Sequence, residues 1–195
     1  MLVLSLCFSI DALNNLLVNT MSKILMVHSS TDGQTEKILN QLRQICEENH
    51  TVEFVSISCA CDINLMTFDK IVIGASVRYG RHGPLVHKFV KSKLGQLKTK
   101  QTFFFSVNVV ARKAEKSTPD KNPYMQKFLA DTSWRPTKKE VFAGKVDYPN
   151  YGFFDKNIIR FIMFLTKGPT DTNCCYEFTD WNKVRKFGKL VSRIN

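Results

Sequence analysis

A chain of 195 residues with 44% hydrophobic content is ordinary for a globular protein and long enough to bury one substantial core, so a single domain is the expectation. Its 28 Lys and Arg against 17 Asp and Glu give a net charge of +11, which implies an anionic partner: nucleic acid, an anionic membrane surface or an acidic small molecule. The charge alone does not choose among these.

Residues 1–20 are apolar from Leu2 to Ile10, lack a basic start and carry Asp11 after a short hydrophobic stretch. That is a poor signal peptide and too short to cross a bilayer. Met21 is therefore read as the functional start, with 1–20 an extension that is disordered or upstream of the true start. Ile24, Leu25, Met26 and Val27 then form an apolar run suited to a central parallel strand covered on both faces. After Thr35 the period becomes helical, with Ile38, Leu39, Leu42, Ile45 and Cys46 on one face of a helix running to about residue 48.

Between strand and helix lie Ser29, Ser30, Thr31, Asp32, Gly33, Gln34 and Thr35. Free backbone N–H groups at a helix start, with the positive end of its dipole, make such a turn a seat for a phosphate. The turn has neither the Gly-Lys-Ser/Thr ending of a triphosphate loop nor Gly-x-Gly-x-x-Gly. Hydroxyls and amides suit a single terminal phosphate such as that of FMN. The structural alternative is an ordinary capped helix after a strand.

Residues 51–57 read as a second strand, and a short helix is expected at 63–67. Residues 70–76 are another apolar strand, running into a loop of Val77, Arg78, Tyr79, Gly80, Arg81, His82 and Gly83. Its glycines permit close backbone approach to a ligand, Tyr79 can stack on a planar ring, and Arg78 and Arg81 add positive charge. A surface loop with an incidental aromatic is the alternative. A helix over 84–97 follows, with Pro84 in its first turn and Leu85, Val86, Phe89, Val90, Leu94 and Leu97 inward. Residues 102–110 are the fourth strand, and its end at 108–113 falls at the same sheet edge as the two earlier loops. Three loops converging at the carboxyl ends of parallel strands mark the switch point of a doubly wound sheet. The predicted fold is flavodoxin-like α/β, a five-stranded parallel sheet of order 2-1-3-4-5.

A helix at 123–131, a strand at 140–146 and a last helix at 180–194, capped by Thr179 or Asp180, complete that fold. Residues 147–178 are then an insertion. Within it, 153–167 is apolar on most of its circumference, and about a dozen residues are too few to cross a hydrocarbon core that needs roughly twenty. Either it lies in a membrane interface, phenylalanines in lipid and Lys156, Arg160 and Lys167 towards anionic headgroups, or it is an ordinary core or dimer helix.

Six cysteines, at 7, 46, 59, 61, 174 and 175, form no C-x-x-C pair and no zinc spacing, so reduced thiols and no metal site are expected. No Ser/His/Asp order or carboxylate pair marks a hydrolytic site. The catalytic acid or base is left unassigned, with His82 and His87 read as structural or solvated.

Five segments together resemble the quinone-dependent protoporphyrinogen IX dehydrogenase family. They are 29–35, Ile-Gly-Ala-Ser-Val-Arg-Tyr-Gly at 73–80, Phe-Ser-Val-Asn-Val-Val-Ala-Arg-Lys at 105–113, Trp-Arg-Pro at 134–136, and Thr-Asp-Thr at 170–172 with 176–181. The likeness spans about 21–195. Ser-Val-Asn followed by Ala-Arg-Lys is its specific part, absent from ordinary flavodoxins. The departures are the 1–20 extension and Thr31, where the family can carry arginine.

This resemblance implies an FMN enzyme of haem biosynthesis that oxidises protoporphyrinogen IX to protoporphyrin IX and passes electrons to a membrane quinone. Six hydrogens leave the macrocycle, so a two-electron flavin would cycle three times. The implied cofactor residues are Ser29, Ser30, Thr31, Asp32, Gly33, Gln34 and Thr35 at the phosphate. Ala75, Ser76, Val77, Arg78, Tyr79 and Gly80 fall beside the ring, with Tyr79 stacking. Ser106, Val107, Asn108 and Val109 follow its polar edge. Arg78, Arg81, Arg112 and Lys113 would form a basic rim for the two propionates. The partners implied are protoporphyrinogen IX, a membrane quinone and an anionic membrane surface met through 153–167, at the cytoplasmic face of the inner (plasma) membrane. Nucleic acid is not among them, and self-association is left open. The alternatives are an NAD(P)H-dependent quinone reductase, a flavodoxin-type electron carrier and a cofactor-free basic binding module.

Overall fold

The computed structural model describes residues 21–193. The expected 1–20 extension, and with it the choice of Met21 as the start, lies outside the described residues, as do Cys7 and residue 194. In chain order the elements are β1 (Lys23–Ser29), α1 (Gln34–Glu47), β2 (Thr51–Ser56), β3 (Lys70–Arg78), β4 (Arg81–His82), α2 (Pro84–Ser92) and α3 (Leu94–Leu97). Then follow β5 (Gln101–Val107), α4 (Pro123–Thr132), β6 (Lys138–Phe142), β7 (Lys145–Asp147), α5 (Phe153–Leu165), β8 (Cys175–Glu177) and α6 (Trp181–Arg193). Parallel pairing sets the order β2-β1-β3-β5-β6, with β4 antiparallel to the end of β3. Among the parallel strands alone this is the expected 2-1-3-4-5, a flavodoxin-like sheet.

Burial on both faces explains the unbroken apolar runs. In β1, Leu25 and Val27 join a core with Val86, Phe89 and Phe128 from α2 and α4. Ile24 and Met26 join the opposite core with Leu42 from α1 and Val184 and Val191 from α6. In β5, Phe103, Phe104 and Phe105 are fully buried, each contributing about 1.5–3 kcal/mol of transfer free energy. Phe105 also dictates its neighbour across the ladder. A Cβ on Gly74, its register partner, would fall 2.2 Å from the Phe105 ring.

The structure departs from the expected elements at four places. The fourth strand ends at Val107 rather than 110, because Asn108 turns out of the sheet to cap a short 3-10 turn, its side chain accepting from Ala111 N. The expected helix over 84–97 breaks at Lys93 into α2 and α3. The expected strand at 140–146 divides at Ala143 and Gly144. Its first part stays in the parallel sheet, and β7 leaves to pair antiparallel with β8 at the base of the inserted segment. Finally, 77–83 is a hairpin rather than an open loop, since β4 pairs Val77 with His82 and Arg78 with Arg81. At the other edge of the sheet, buried Lys70 Nζ donates to the carbonyls of Val191 and Ser192, both at 3.2 Å. His50 Nε2 lies 2.9 Å from the same Ser192 carbonyl, so the carboxyl end of α6 is held by two side chains.

Candidate active site

Three loops meet at the carboxyl edge of the sheet. The first leaves β1 and turns at Gly33, whose φ of 77° is the left-handed conformation glycine adopts without strain. No side chain caps α1, so its first amides are not taken up by a capping group. Ser30 Oγ and Thr35 Oγ1 are buried there without hydrogen-bond partners. Buried hydroxyls are normally satisfied, so this pair, beside an uncapped helix start, fits the oxygens of a phosphate.

The second loop is the Tyr79–Gly80 turn of the β3–β4 hairpin. Both residues have positive φ, 50° and 77°, the signature of a tight hairpin turn of the primed type. Tyr79 carries this conformation despite its side chain, and its ring is largely exposed. Its hydroxyl donates to Asp155 on α5, which also accepts from Arg78. These hydrogen bonds, Tyr79 first, hold the Asp155 carboxyl below the ordinary range.

The third loop leaves β5 after Val107, where the side chain of Asn108 donates back to Ser106 in the strand. Together the loops line a cleft of about 870 Å³, open solvent at its mouth included. The inserted segment forms its far wall, with Ile159, Ile162 and Met163 of α5 lining the cleft at three- and four-residue spacing.

Of the expected phosphate-loop residues, Ser30, Asp32, Gln34 and Thr35 line the cleft. Ser29, Thr31 and Gly33 do not. The Ser29 carbonyl accepts from Ser76, Thr31 is exposed beside the Ser76 hydroxyl, and Gly33 forms the turn. Gln34 is only partly available, because its amide donates to Glu177 at 3.0 Å and to Thr179 at 2.8 Å, tying α1 to β8. From the second loop Ser76, Val77, Arg78, Tyr79 and Gly80 line the cleft, and Ala75 is behind them in the sheet. From the third, Val107, Asn108 and Val109 line it, and Ser106 is buried.

The expected basic rim is dispersed. Arg78 alone of the four lines the cleft, with Nη1 donating to both oxygens of Asp32. Arg81 lines a separate hollow with His87, Lys91 and Asp131. Arg112 is committed to backbone: it donates to the carbonyls of Val109, at 3.1 Å, and Thr166, at 2.9 Å. Burial also lowers its pKa. Lys113 is half-buried at the start of a 3-10 turn and outside the lining.

The lining residues outside the expected site are Val110, Tyr124, Gly144, Lys145, Val146 and Tyr151, with Ile159, Ile162 and Met163. Lys145 brings a cation, its pKa raised first by the hydrogen bond to Asp147, at 2.8 Å. The i, i+3, i+4 stripe of α5 was the readable signal for the last three. Tyr124, directly after Pro123 at a helix start, carried none.

The flavodoxin domain family matches residues 25–173. The chain is 40% identical over 167 residues to a protoporphyrinogen IX dehydrogenase [quinone] of Leishmania major, covering 85% of this chain and 72% of that protein. To the Escherichia coli K12 protein of the same name it is 36% identical over 173 residues, 88% of this chain and 96% of that one. The chain belongs to the protoporphyrinogen IX dehydrogenase [quinone] family. Its fold is similar to that of oxidised flavodoxin 1 from Bacillus cereus, with a TM-score of 0.52 at 15% identity, covering 89% of this chain and all of the other. Membership of a flavodoxin-domain family makes the protein an FMN-binding oxidoreductase. The unpartnered Ser30 and Thr35 hydroxyls at the α1 start fit that cofactor.

Proposed function

We propose that the protein oxidises protoporphyrinogen IX to protoporphyrin IX and delivers the electrons to a membrane quinone, as a step of haem biosynthesis. The names of the relatives suggest this substrate and acceptor. The observation that carries the reading is the two-sidedness of α5. Ile159, Ile162 and Met163 wall the cleft, while Phe153, Phe154, Phe161, Phe164 and Leu165 on the same helix are 61–79% exposed. A bare aromatic face of that size marks an interaction surface. Lys156 and Arg160 flank it and Lys167 follows it, the arrangement of a helix lying in an anionic interface. Among the described residues no helix is long and apolar enough to cross a membrane. We place the protein peripherally at the cytoplasmic face of the inner membrane, the cleft one helix away from lipid.

FMN bound in the cleft would supply the two-electron chemistry. The protein's own part is to seat it and shape its surroundings. Ser30, Thr35 and the α1 amides would hold the phosphate. Val77, Tyr79 and Val109 present apolar surface to a ring, and the α5 wall keeps water from it. For the macrocycle, Arg78 and Lys145 are the cations of the cleft suited to a propionate, although each already has a carboxylate partner. The test is anaerobic. FMN-loaded protein is mixed with protoporphyrinogen and a quinone, and porphyrin fluorescence is followed. A quinone-dependent rise is expected, and its absence overturns the assignment. Rapid bleaching of the flavin by a nicotinamide, without porphyrin formation, would instead favour a quinone reductase.

A further inference from the structure

A buried hydrogen-bond chain runs from the hairpin to the floor of the cleft. His82 Nε2 lies 2.9 Å from Ser106 Oγ, and Asn108 Nδ2 lies 3.2 Å from the same oxygen. All three residues are at most 4% exposed. The orientation of the Asn108 amide follows from its partners. Its Oδ1 accepts the backbone N–H of Ala111 at 3.1 Å and the Asn122 side-chain amide at 3.2 Å, so Nδ2 is the end that faces Ser106. Ser106 Oγ accepts that hydrogen. Its own proton finds no other acceptor among the described residues, so we assign it to His82 Nε2, which bonds to no other group there. His82 must be the neutral tautomer with hydrogen on Nδ1.

The surroundings enforce neutrality. The His82 ring packs against Phe128, at 4.9 Å between centroids, and Phe104, at 5.7 Å. Burial, with a smaller contribution from nearby His87, pushes its pKa down to about 3. Asn108 at the far end of the chain lines the cleft, and its second Nδ2 hydrogen has no partner among the described residues.

We infer that His82, which does not itself line the cleft, is a positioning residue for the cofactor: through Ser106 it steadies the Nδ2 end of the Asn108 amide so that the free Nδ2 hydrogen is offered to an acceptor of the flavin ring. The inference rests on FMN occupying this cleft. A fixed donor there favours the reduced, electron-rich ring over the oxidised one and thereby raises the midpoint potential. With the acceptor at His82 gone, the Ser106 hydroxyl turns its proton elsewhere and the Nδ2 end of Asn108 loses its fixed acceptor, while Oδ1 stays held by Ala111 and Asn122; the donor aimed at the ring is less firmly placed and the potential falls.

The experiment is redox titration of the FMN-loaded protein and its variants, with FMN affinity measured alongside by fluorescence. His82→Phe preserves the aromatic packing and removes the acceptor, and Ser106→Ala breaks the chain one bond further on. Each is expected to shift the oxidised-to-reduced ratio about tenfold towards oxidised flavin, ~30 mV for a two-electron couple. The double variant is expected to match either single one, because both act on one chain. His82→Gln, which offers an acceptor at a similar reach, should restore most of the wild-type value. Shifts below about twofold in both single variants, or shifts that add in the double, overturn the inference. Should His82→Phe fail to fold, Ser106→Ala with His82→Gln decides alone. Potentials are read without porphyrinogen or quinone, so failure of the proposed reaction and failure of this inference are separately visible.

Discussion

Arg78 Nη1 donates to both carboxylate oxygens of Asp32, at 2.8 and 3.0 Å, so the last residue of β3 is clamped to the loop that follows β1. Its other terminal nitrogen donates to Asp155, which extends the clamp to α5. One guanidinium thus ties the phosphate loop, the hairpin and the inserted helix together, a task suited to its planar fork of donors.

Arg78→Met should therefore loosen α5 more than it unfolds the sheet. The pairs are partly exposed, so we expect a cost of about 1–2 kcal/mol. Hydrogen exchange across 153–165 should quicken while the amides of β1 and β5 keep their protection. Unchanged exchange in α5 would show that the clamp does not hold it.

Ser30→Ala and Thr35→Val should separate cofactor binding from apoprotein stability. Both hydroxyls are buried and unpartnered without a phosphate, so removing them should leave the melting temperature of the apoprotein the same or higher. Each hydrogen bond to a charged phosphate is worth about 1.5–3 kcal/mol, so FMN affinity should fall roughly ten- to a hundredfold. Fluorescence titration and thermal melts of apoprotein measure the two. Undiminished affinity in both variants would place the phosphate elsewhere.

Acid should destabilise the fold, in part through His82. Its pKa is about 3 in the folded protein and ordinary, about 6.5, in the unfolded chain. Between those values the unfolded chain binds a proton that the native protein refuses, so stability falls as the pH drops from 6.5 towards 3. The slope contributed is at most about 1.4 kcal/mol per pH unit. Asp147, held low chiefly by the hydrogen bond from Lys145, acts in the same direction. Urea unfolding at pH 7, 5.5 and 4.5 should give a shallower decline for His82→Gln than for the wild type, and parallel declines would refute the assignment.

Phe161→Glu and Phe164→Glu probe the bare face of α5. Both side chains are exposed, so stability should change by no more than about 0.5 kcal/mol. Flotation with anionic vesicles should be lost in the double variant, whereas retention of the folded double variant on vesicles would remove the membrane reading.

Lys70→Met tests the opposite edge. Its ammonium is buried against the carbonyls of Val191 and Ser192, and without it those groups lose a charged donor at a helix carboxyl end. We expect a loss of about 1–3 kcal/mol in urea unfolding with FMN affinity unchanged. A neutral effect would mean that desolvating the ammonium already cancels its bonds.

What was legible in the sequence came from repetition. Ile24–Val27 and Phe103–Phe105 announce central strands because consecutive apolar residues are needed when both faces are covered. The helices show their spacing, and three loops after parallel strands share an edge by topology. What was not legible lacks any period. Arg81–His82 is too short to carry a strand pattern, and its pairing with β3 depends on a turn at Tyr79 that no propensity favours. The division of the 140–146 strand depends on β8, some thirty residues downstream. Arg112 looked free because charge is visible in a sequence, whereas the carbonyls it satisfies are not.

The grip of Lys70 and His50 on Ser192 brings the end of α6 to the amino edge of the sheet, a strand's length, on the order of 20 Å, from the cleft. An affinity handle or fluorescent fusion attached beyond Arg193 would therefore hang behind the molecule. A surface carrying the protein by that handle would leave the cleft and its α5 wall at the far end, open to whatever is added in solution.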